Sequence, residues 1–499
     1  MKLTKMSLVA ALLVGSSAFA DDKVNTIMDS VKVSGDVNLF YSTSDAKNGM
    51  ANGLASPLAD VVNKNASGTL FDKDSSAADA SLNLAIAADL AKNDMVTVSG
   101  KAAYTVLSTL GLENNFVSNV WGGSHTASTD TGNSFGGSSH SQALGDVLGG
   151  AKVENVNYFT EAYIAVAAGN SALQLGRMEL DTPLAFTEKW SAEKNTFEAA
   201  LVVNKDIPDT TVAVAYVGNG NGNETFGSGN SYVFALDPTL GQPNNGSVLS
   251  NTYTLGLASA GVVNADGKFS TFGSDGAYVL GVVNNSFKPL TAQAWYYSVK
   301  NVADAYWLQA DLNMEGILLG GQYSAIDLDD AIANADNDVF AGMIGYEMKD
   351  VVTVKLAYSQ TGKDAVAGIG AGFNTATSTG NTKLYTKTFW NYGKDVVTAN
   401  DTEAMKVSVS SPVNGLFDLC VSYTTVDQAT NAGNADLDEI AVVAKKSFGP
   451  LDAKLAYVYV DEKNKTTVLT NVANALVPAV DPKFNDKYNM VQAYLSLNF

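Results

Sequence analysis

One arginine stands alone in the chain, Arg177, and carboxylates crowd the stretch that follows it: Glu179, Asp181, Glu188, Glu193 and Glu198, with Lys189 among them. A guanidinium stays charged at any working pH and offers a planar fork of donors that lysine lacks. Two roles are open to it. It could stand as a fixed cation at a constriction, or it could pin its own segment by pairing with one of those carboxylates. Arg177 shares strand parity with Leu173 and Leu175, so an inward role requires a bulge or a departure from the wall by Gly176.

Other chemistry-bearing residues are sparse. His125 and His140 fall among Ser and Gly with no orienting acid or third ligand nearby, which argues against a Ser/His hydrolase and against a metal pair. The single cysteine, Cys420, excludes a disulfide framework and a thiolate zinc site. It shares parity with Asp418 and Ser422 and reads as a small filler of the inner wall. Asp327, Asp329, Asp336 and Asp338 gather in one segment, and carboxylate oxygens at that density can bind calcium. The glycine and bidentate Glu of an EF-hand are missing, so a solvated acidic loop is the preferred reading and a structural calcium ion the alternative. No other cofactor is called for, and no enzyme. The glycine-rich stretches at 218–223 and 368–372 do not lead from a strand into a helix, so they are loops rather than phosphate cradles.

The balance of 31 Lys plus Arg against 51 Asp plus Glu gives a net charge of −20, which would repel nucleic acid. A hydrophobic fraction of 46% with 16% charged residues excludes a disordered chain. The first twenty residues read as a secretory signal: Lys2 and Lys5, an apolar stretch over 6–14, then Ala18-Phe19-Ala20 before a cleavage point at Asp21. Residues 21–499 then form a single domain, and none of its stretches is apolar for long enough to cross a membrane as a helix.

Its pattern is alternation. Val31, Val33, Gly35, Val37, Leu39 and Tyr41 interleave with Lys32, Ser34, Asp36 and Asn38, the period of a strand with one apolar face. The same period recurs in pairs joined by short turns, while the next connection is long and polar. Strands of about 9–11 residues with such unequal connections are those of a transmembrane antiparallel β-barrel, with short periplasmic turns and long extracellular loops. Alternating direction places strand starts near Val31, Ala80, Met95, Val156, Ser171, Thr196, Thr210, Gly276, Leu290, Ala305, Ile317, Asp338, Val351, Ala404, Leu416, Asp438, Leu451 and Tyr488, which is eighteen strands. The apolar piece at 251–258 would break that alternation and is assigned to the fourth external loop.

If apolar positions face lipid, the opposite parity lines the lumen with Lys32, Asp36, Asp89, Lys101, Glu161, Asp311, Glu347 and Lys355, and also Glu198, Lys406, Asp418, Glu439, Lys445, Asp452 and Lys454. So many charges require a wet interior. The last strand ends on Phe499, the terminal aromatic by which outer-membrane barrels resemble one another and are recognised by the barrel-assembly machinery.

The run LQLGRMELDTPLAFTEKW, with NTFEAALVVNKDIPDTTVAVAYVG after it, resembles the major outer membrane porins of the Campylobacter type and, more distantly, the OprD-type porins. The resemblance implies a barrel that is usually a homotrimer, set among outer-membrane lipid and lipopolysaccharide, with its third loop folded into the lumen. Segment 177–195 would be that loop, carrying Arg177, Glu179, Asp181, Glu188 and Lys189 to a constriction, with Glu193 and Glu198 beside them. The near-complete use of Lys in place of Arg departs from the arginine ladder of OprD-type channels. The expected function is passive diffusion of ions and small hydrophilic solutes, with cation preference from the acidic surplus. A substrate-selective OprD-like channel and a barrel adhesin with long loops are the alternatives.

Overall fold

The structure is a computed structural model. It describes residues 30–45, 69–72, 76–108, 110, 156–189, 191–221, 231–233, 254–256, 269–271, 276–300, 303–328, 336–364, 382–389, 396–398, 400–413, 415–428, 435–464, 469–472, 475–478 and 485–499. The expected signal segment, both histidines, Asp329 and the glycine run at 368–372 lie outside the described residues.

The wall consists of β1 (Lys32–Ser44), β2 (Ser76–Lys92), β3 (Val96–Ser108), β4 (Val156–Ala168), β5 (Ser171–Met178), β6 (Phe197–Asn204), β7 (Thr210–Gly220), β8 (Ala277–Asn284), β9 (Leu290–Val299), β10 (Ala303–Met314), β11 (Ile317–Leu328), β12 (Asp336–Met348), β13 (Val352–Thr361), β14 (Thr402–Val413), β15 (Phe417–Gln428), β16 (Ala435–Phe448), β17 (Leu451–Asn464) and β18 (Asn485–Asn498). Each pairs antiparallel with its sequence neighbours. β1 pairs with both β2 and β18, so the sheet closes and leaves no open edge. Closure runs to the last residue: Phe499 N donates to Gly35 O at 2.9 Å and Gly35 N to Phe499 O at 2.8 Å. The largest departure from the expected starts is at β2, which begins at Ser76 rather than Ala80. The piece Thr254–Gly256 pairs with Ser231–Val233 in a separate small sheet, outside the wall as expected.

The outer face is apolar. Leu82, Leu84 and Ile86 on β2, Leu280 on β8, Ile344 on β12 and Leu455 on β17 are all exposed, which in a closed barrel this tall means facing lipid. At the long-loop end this belt finishes in a repeated device. A tyrosine on the rising strand bonds a polar residue two positions higher on the descending one. The pairs are Tyr41 with Ser76 (2.9 Å), Tyr104 with Asn157, Tyr423 with Asp438 (2.7 Å) and Tyr457 with Asn489 (2.6 Å). Tyr296, Tyr323 and Tyr358 reach Asp304, Asp338 and Glu403 in the same way. An aromatic body in lipid with its hydroxyl satisfied at the polar boundary is the girdle that such barrels use to fix their depth.

The inside is not only polar. Trp295, Tyr297 and Trp307 point inward and pack with Leu180, Leu184 and Leu384, which belong to chain segments inside the barrel.

Candidate pore constriction

The chain leaves β5 at Met178, fully buried, and returns to the wall at Phe197. Between them, residues 179–196 fold as two small antiparallel loops, closed by bridges Asp181 to Phe186 and Lys189 to Lys194. Their contacts are with the inner wall on both sides. Lys189 Nζ donates to Asn38 Oδ1 of β1 at 2.8 Å, Ser81 Oγ of β2 to the carbonyl of Ala192 at 3.4 Å, and Asn83 Nδ2 of β2 to Glu193 Oε1 at 2.8 Å. Across the lumen, Leu184 N donates to the hydroxyl of Tyr297 on β9 at 3.2 Å. The segment therefore enters the barrel and crosses it.

Charge holds its near end. Lys101 Nζ donates to both oxygens of Glu161 at 2.9 Å, and Lys194 joins Glu161 at 3.4 Å and pairs with Glu179. Burial alone would lower the Lys194 pKa, but Glu179 and Glu161 outweigh it and hold it above the usual lysine range. Glu193 is almost wholly buried. Desolvation raises its pKa against the opposing pull of Ser81, Lys189 and Asn83. Desolvation lowers that of Lys189, opposed by Glu193 and Asp36.

A second segment, residues 382–389 between β13 and β14, also lies inside and is anchored differently. Gln322 of β11 donates from Nε2 to Lys383 O at 2.9 Å and accepts at Oε1 from Tyr385 N at 3.0 Å. Tyr385 donates to Asp311 Oδ1 at 2.6 Å, and Phe389 N donates to Glu439 Oε1 of β16 at 2.6 Å. Gly320 makes the approach possible, since a Cβ there would meet the Tyr385 hydroxyl at 2.5 Å. The two segments meet where Lys383 pairs with Asp181, its ammonium 4.8 Å from the centre of the Phe186 ring.

Comparison with known proteins follows the same geometry. No family model and no curated protein matches the chain. Solved structures do. OccK1 (OpdK) of Pseudomonas aeruginosa aligns at a TM-score of 0.59 and 13% identity, covering 95% of this chain and 100% of that one. OccAB1 of Acinetobacter baumannii aligns at 0.59 and 12%, covering 94% and 96%, and OccK9 (OpdG) of Pseudomonas aeruginosa at 0.57 and 12%, covering 95% and 100%. The shared feature is the fold. It supports the OprD-type side of the resemblance read from sequence, while the Campylobacter-type side stays a likeness of sequence.

Within that Occ-like barrel, the eight wall residues singled out by parity all take the inward side. Lys32 and Asp36 do so on β1, Asp89 on β2, Lys101 on β3, Glu161 on β4, Asp311 on β10, Glu347 on β12 and Lys355 on β13. Glu179, Asp181, Lys189 and Glu193 are brought together on the crossing segment. Glu188 is there too but buried within it, its N–H donating to Asn195 Oδ1 at 2.7 Å.

Arg177 and Glu198 require a correction: neither reaches the lumen. Register runs unbroken from Leu175 through Arg177 on both sides of β5, opposite Ile164 and Ala162 on β4 and Ala200 and Glu198 on β6. Ile164, Leu175 and Val202 of this set are exposed to lipid, so Arg177 and Glu198 face outward with them. Gly176 does take a φ of +127°, which an L side chain resists, yet it produces no slip. The extra residues fall instead on β4 and β7. Arg177 Nε donates to Glu198 Oε1 at 2.7 Å, its Nη1 donates to Phe159 O at 3.1 Å, and Phe269 covers the guanidinium at 4.1 Å. The pinning role is the one the geometry supports, at the height where other hairpins place a girdle tyrosine.

Asp327, Asp336 and Asp338 also face outward, at the long-loop ends of β11 and β12, with Asp327 opposite Asp336. Among the described residues no group of three or more His, Cys, Asp or Glu is placed to hold a metal. The second inward segment had no signal in the sequence beyond Lys383 and Lys387, because its anchors are mostly backbone groups and amides.

Proposed function

We propose that the protein is an outer-membrane diffusion channel that selects small anionic solutes at the junction of its two inward segments. The observation that carries the reading is the Asp181–Lys383 contact, which joins a segment held by β1 to β4 with one held by β10 to β16. Charge engagement supports the anion preference. Glu161 and Glu179 are neutralised by lysines, and Asp181 by Lys383. Lys445 and Lys454 on the inner wall make no ion pair among the described residues. One solved neighbour, OpdK, was obtained with vanillate, a small organic anion, which is consistent with this substrate class. Whole-chain charge argues for cations, but most of it is not on the described lumen.

The channel works as a homotrimer among outer-membrane lipid and lipopolysaccharide, inserted by the barrel-assembly machinery acting on the strand that ends at Phe499. Single-channel recording under a KCl gradient tests the reading. A reversal potential toward Cl⁻, and higher conductance for Lys383→Gln, are expected. A reversal potential toward K⁺ with Lys383→Gln unchanged returns the general cation-preferring porin, and silence from folded protein returns the adhesin.

A further inference from the structure

One register row on the inner wall takes no part in the ion pairs that hold the two segments. Asp418 of β15 stands opposite Lys445 of β16, Lys445 opposite Lys454 of β17, Lys454 opposite Tyr494 of β18, and Tyr494 opposite Phe40 of β1. Like charges directly opposed across a sheet repel and cost stability. Here the lysines have no carboxylate within ion-pair distance among the described residues. Lys454 instead lies 3.3 Å from the centre of the Tyr494 ring and 5.9 Å from that of Phe389 on the second inward segment. A third cation approaches from the first segment. Lys189 bonds Asn38 Oδ1, which also accepts from Ser496 Oγ, the next inward residue after Tyr494 on β18. The charge of Lys189 acts on Lys454. Three ammonium groups thus gather at this row, with Asp418 and Asp452 on the wall and Glu193 and Asp36 on the far side of Lys189.

The type of cation matters. The only guanidinium in the chain is on the outer face, so the lumen has no planar fork to read a carboxylate through two parallel bonds. Ammonium groups are compact point charges with rotatable donors, and several of them can converge on a tetrahedral oxyanion. A phosphate monoester carries close to two negative charges near neutral pH. Phe389 and Tyr494 add ring surface at the same place.

We propose that the Lys445–Lys454 row, with Lys189, is a binding station for phosphate monoesters, those of planar-ring compounds above all. The proposal rests on the reading of the lumen as a conducting path and names the ligand class it holds.

Isothermal titration calorimetry on the full folded chain in detergent tests it, with phenyl phosphate, inorganic phosphate and benzoate as probes at pH 7. Phenyl phosphate is expected to bind most tightly and benzoate about tenfold more weakly, as the loss of one charge-assisted contact implies. The K445Q/K454Q double variant should lose about tenfold or more in phenyl phosphate affinity by the same arithmetic. K454R should keep phosphate binding and gain benzoate binding, because it restores the fork. Heat-modifiable migration confirms that each variant is folded, and single K445Q replaces the double if that fails. Equal affinity for benzoate and phenyl phosphate, or an unchanged affinity in the folded lysine variant, overturns the proposal. Phenyl phosphate binding to a protein silent in bilayers would sink the channel reading alone, and conduction without phenyl phosphate binding would sink the station alone.

Discussion

The two inward segments do the same job with different means. Residues 179–196 are held by charged side chains, above all the Lys101–Glu161–Lys194–Glu179 network, and by the nearly buried Glu193. Residues 382–389 are held by backbone groups offered to Gln322 and Glu439 and by Tyr385 against Asp311. Charges announce themselves in a sequence, whereas a backbone N–H is the same at every residue. The first segment was therefore legible and the second was not.

If the first segment depends on charge, replacing Lys194 should have the largest effect. Lys194→Met leaves Glu179 without a cation and Glu161 with only Lys101. Because the Lys194 side chain retains 28% exposure, the cost is about 2 kcal/mol rather than that of a fully buried pair. It should appear as a lower temperature of heat-modifiable migration and faster proteolysis within 179–196; an unaltered transition would mean that apolar packing alone seats the segment. The counterpart for the second segment is Glu439→Ala, which strands the Phe389 N–H at a cost of about 1.5–2 kcal/mol. Its conductance should rise while the first segment keeps its protease resistance. Equal loosening of both would make them one cooperative unit.

The third contrast is between the sides of the wall. Arg177→Ala removes a half-exposed outer pair and should cost about 0.5–1 kcal/mol. Single-channel conductance and solute preference should not change, and any clear change would put the guanidinium back in the pore. The smallest effect concerns pH. The Glu193 pKa is raised above 4.5 in the folded chain, so between that value and its folded pKa the folded state binds the extra proton. Stability then falls as pH rises through this range and is gained on acidification. Current noise from the first segment should decrease as pH is lowered toward 4.5 in the wild type and stay flat in Glu193→Gln.

Parity named the inward residues correctly wherever a strand runs undisturbed, as with Asp36, Lys101, Asp311 and Lys355. It misled in two settings. Trp295, Tyr297 and Trp307 are apolar yet inward, because the segments inside the barrel give them a core to pack against. Arg177 and Glu198 are charged yet outward, because they sit at the girdle where a satisfied polar pair is tolerated. Polarity reports the medium a side chain meets, and at the ends of the strands that medium is not fixed by side alone.

By itself the sequence determined the wall: the number of strands, their alternating direction, and, away from the girdle and the inward segments, the face each side chain takes, since a pleated backbone forces a period of two and a membrane demands one apolar face. Tertiary structure decided what meets inside it. Asp181 met Lys383, and Tyr494 came to stand between Lys454 and Phe40, through closure and cross-strand register between segments far apart in the chain. No local pattern encodes those meetings, because register is set by which distant strands share hydrogen bonds.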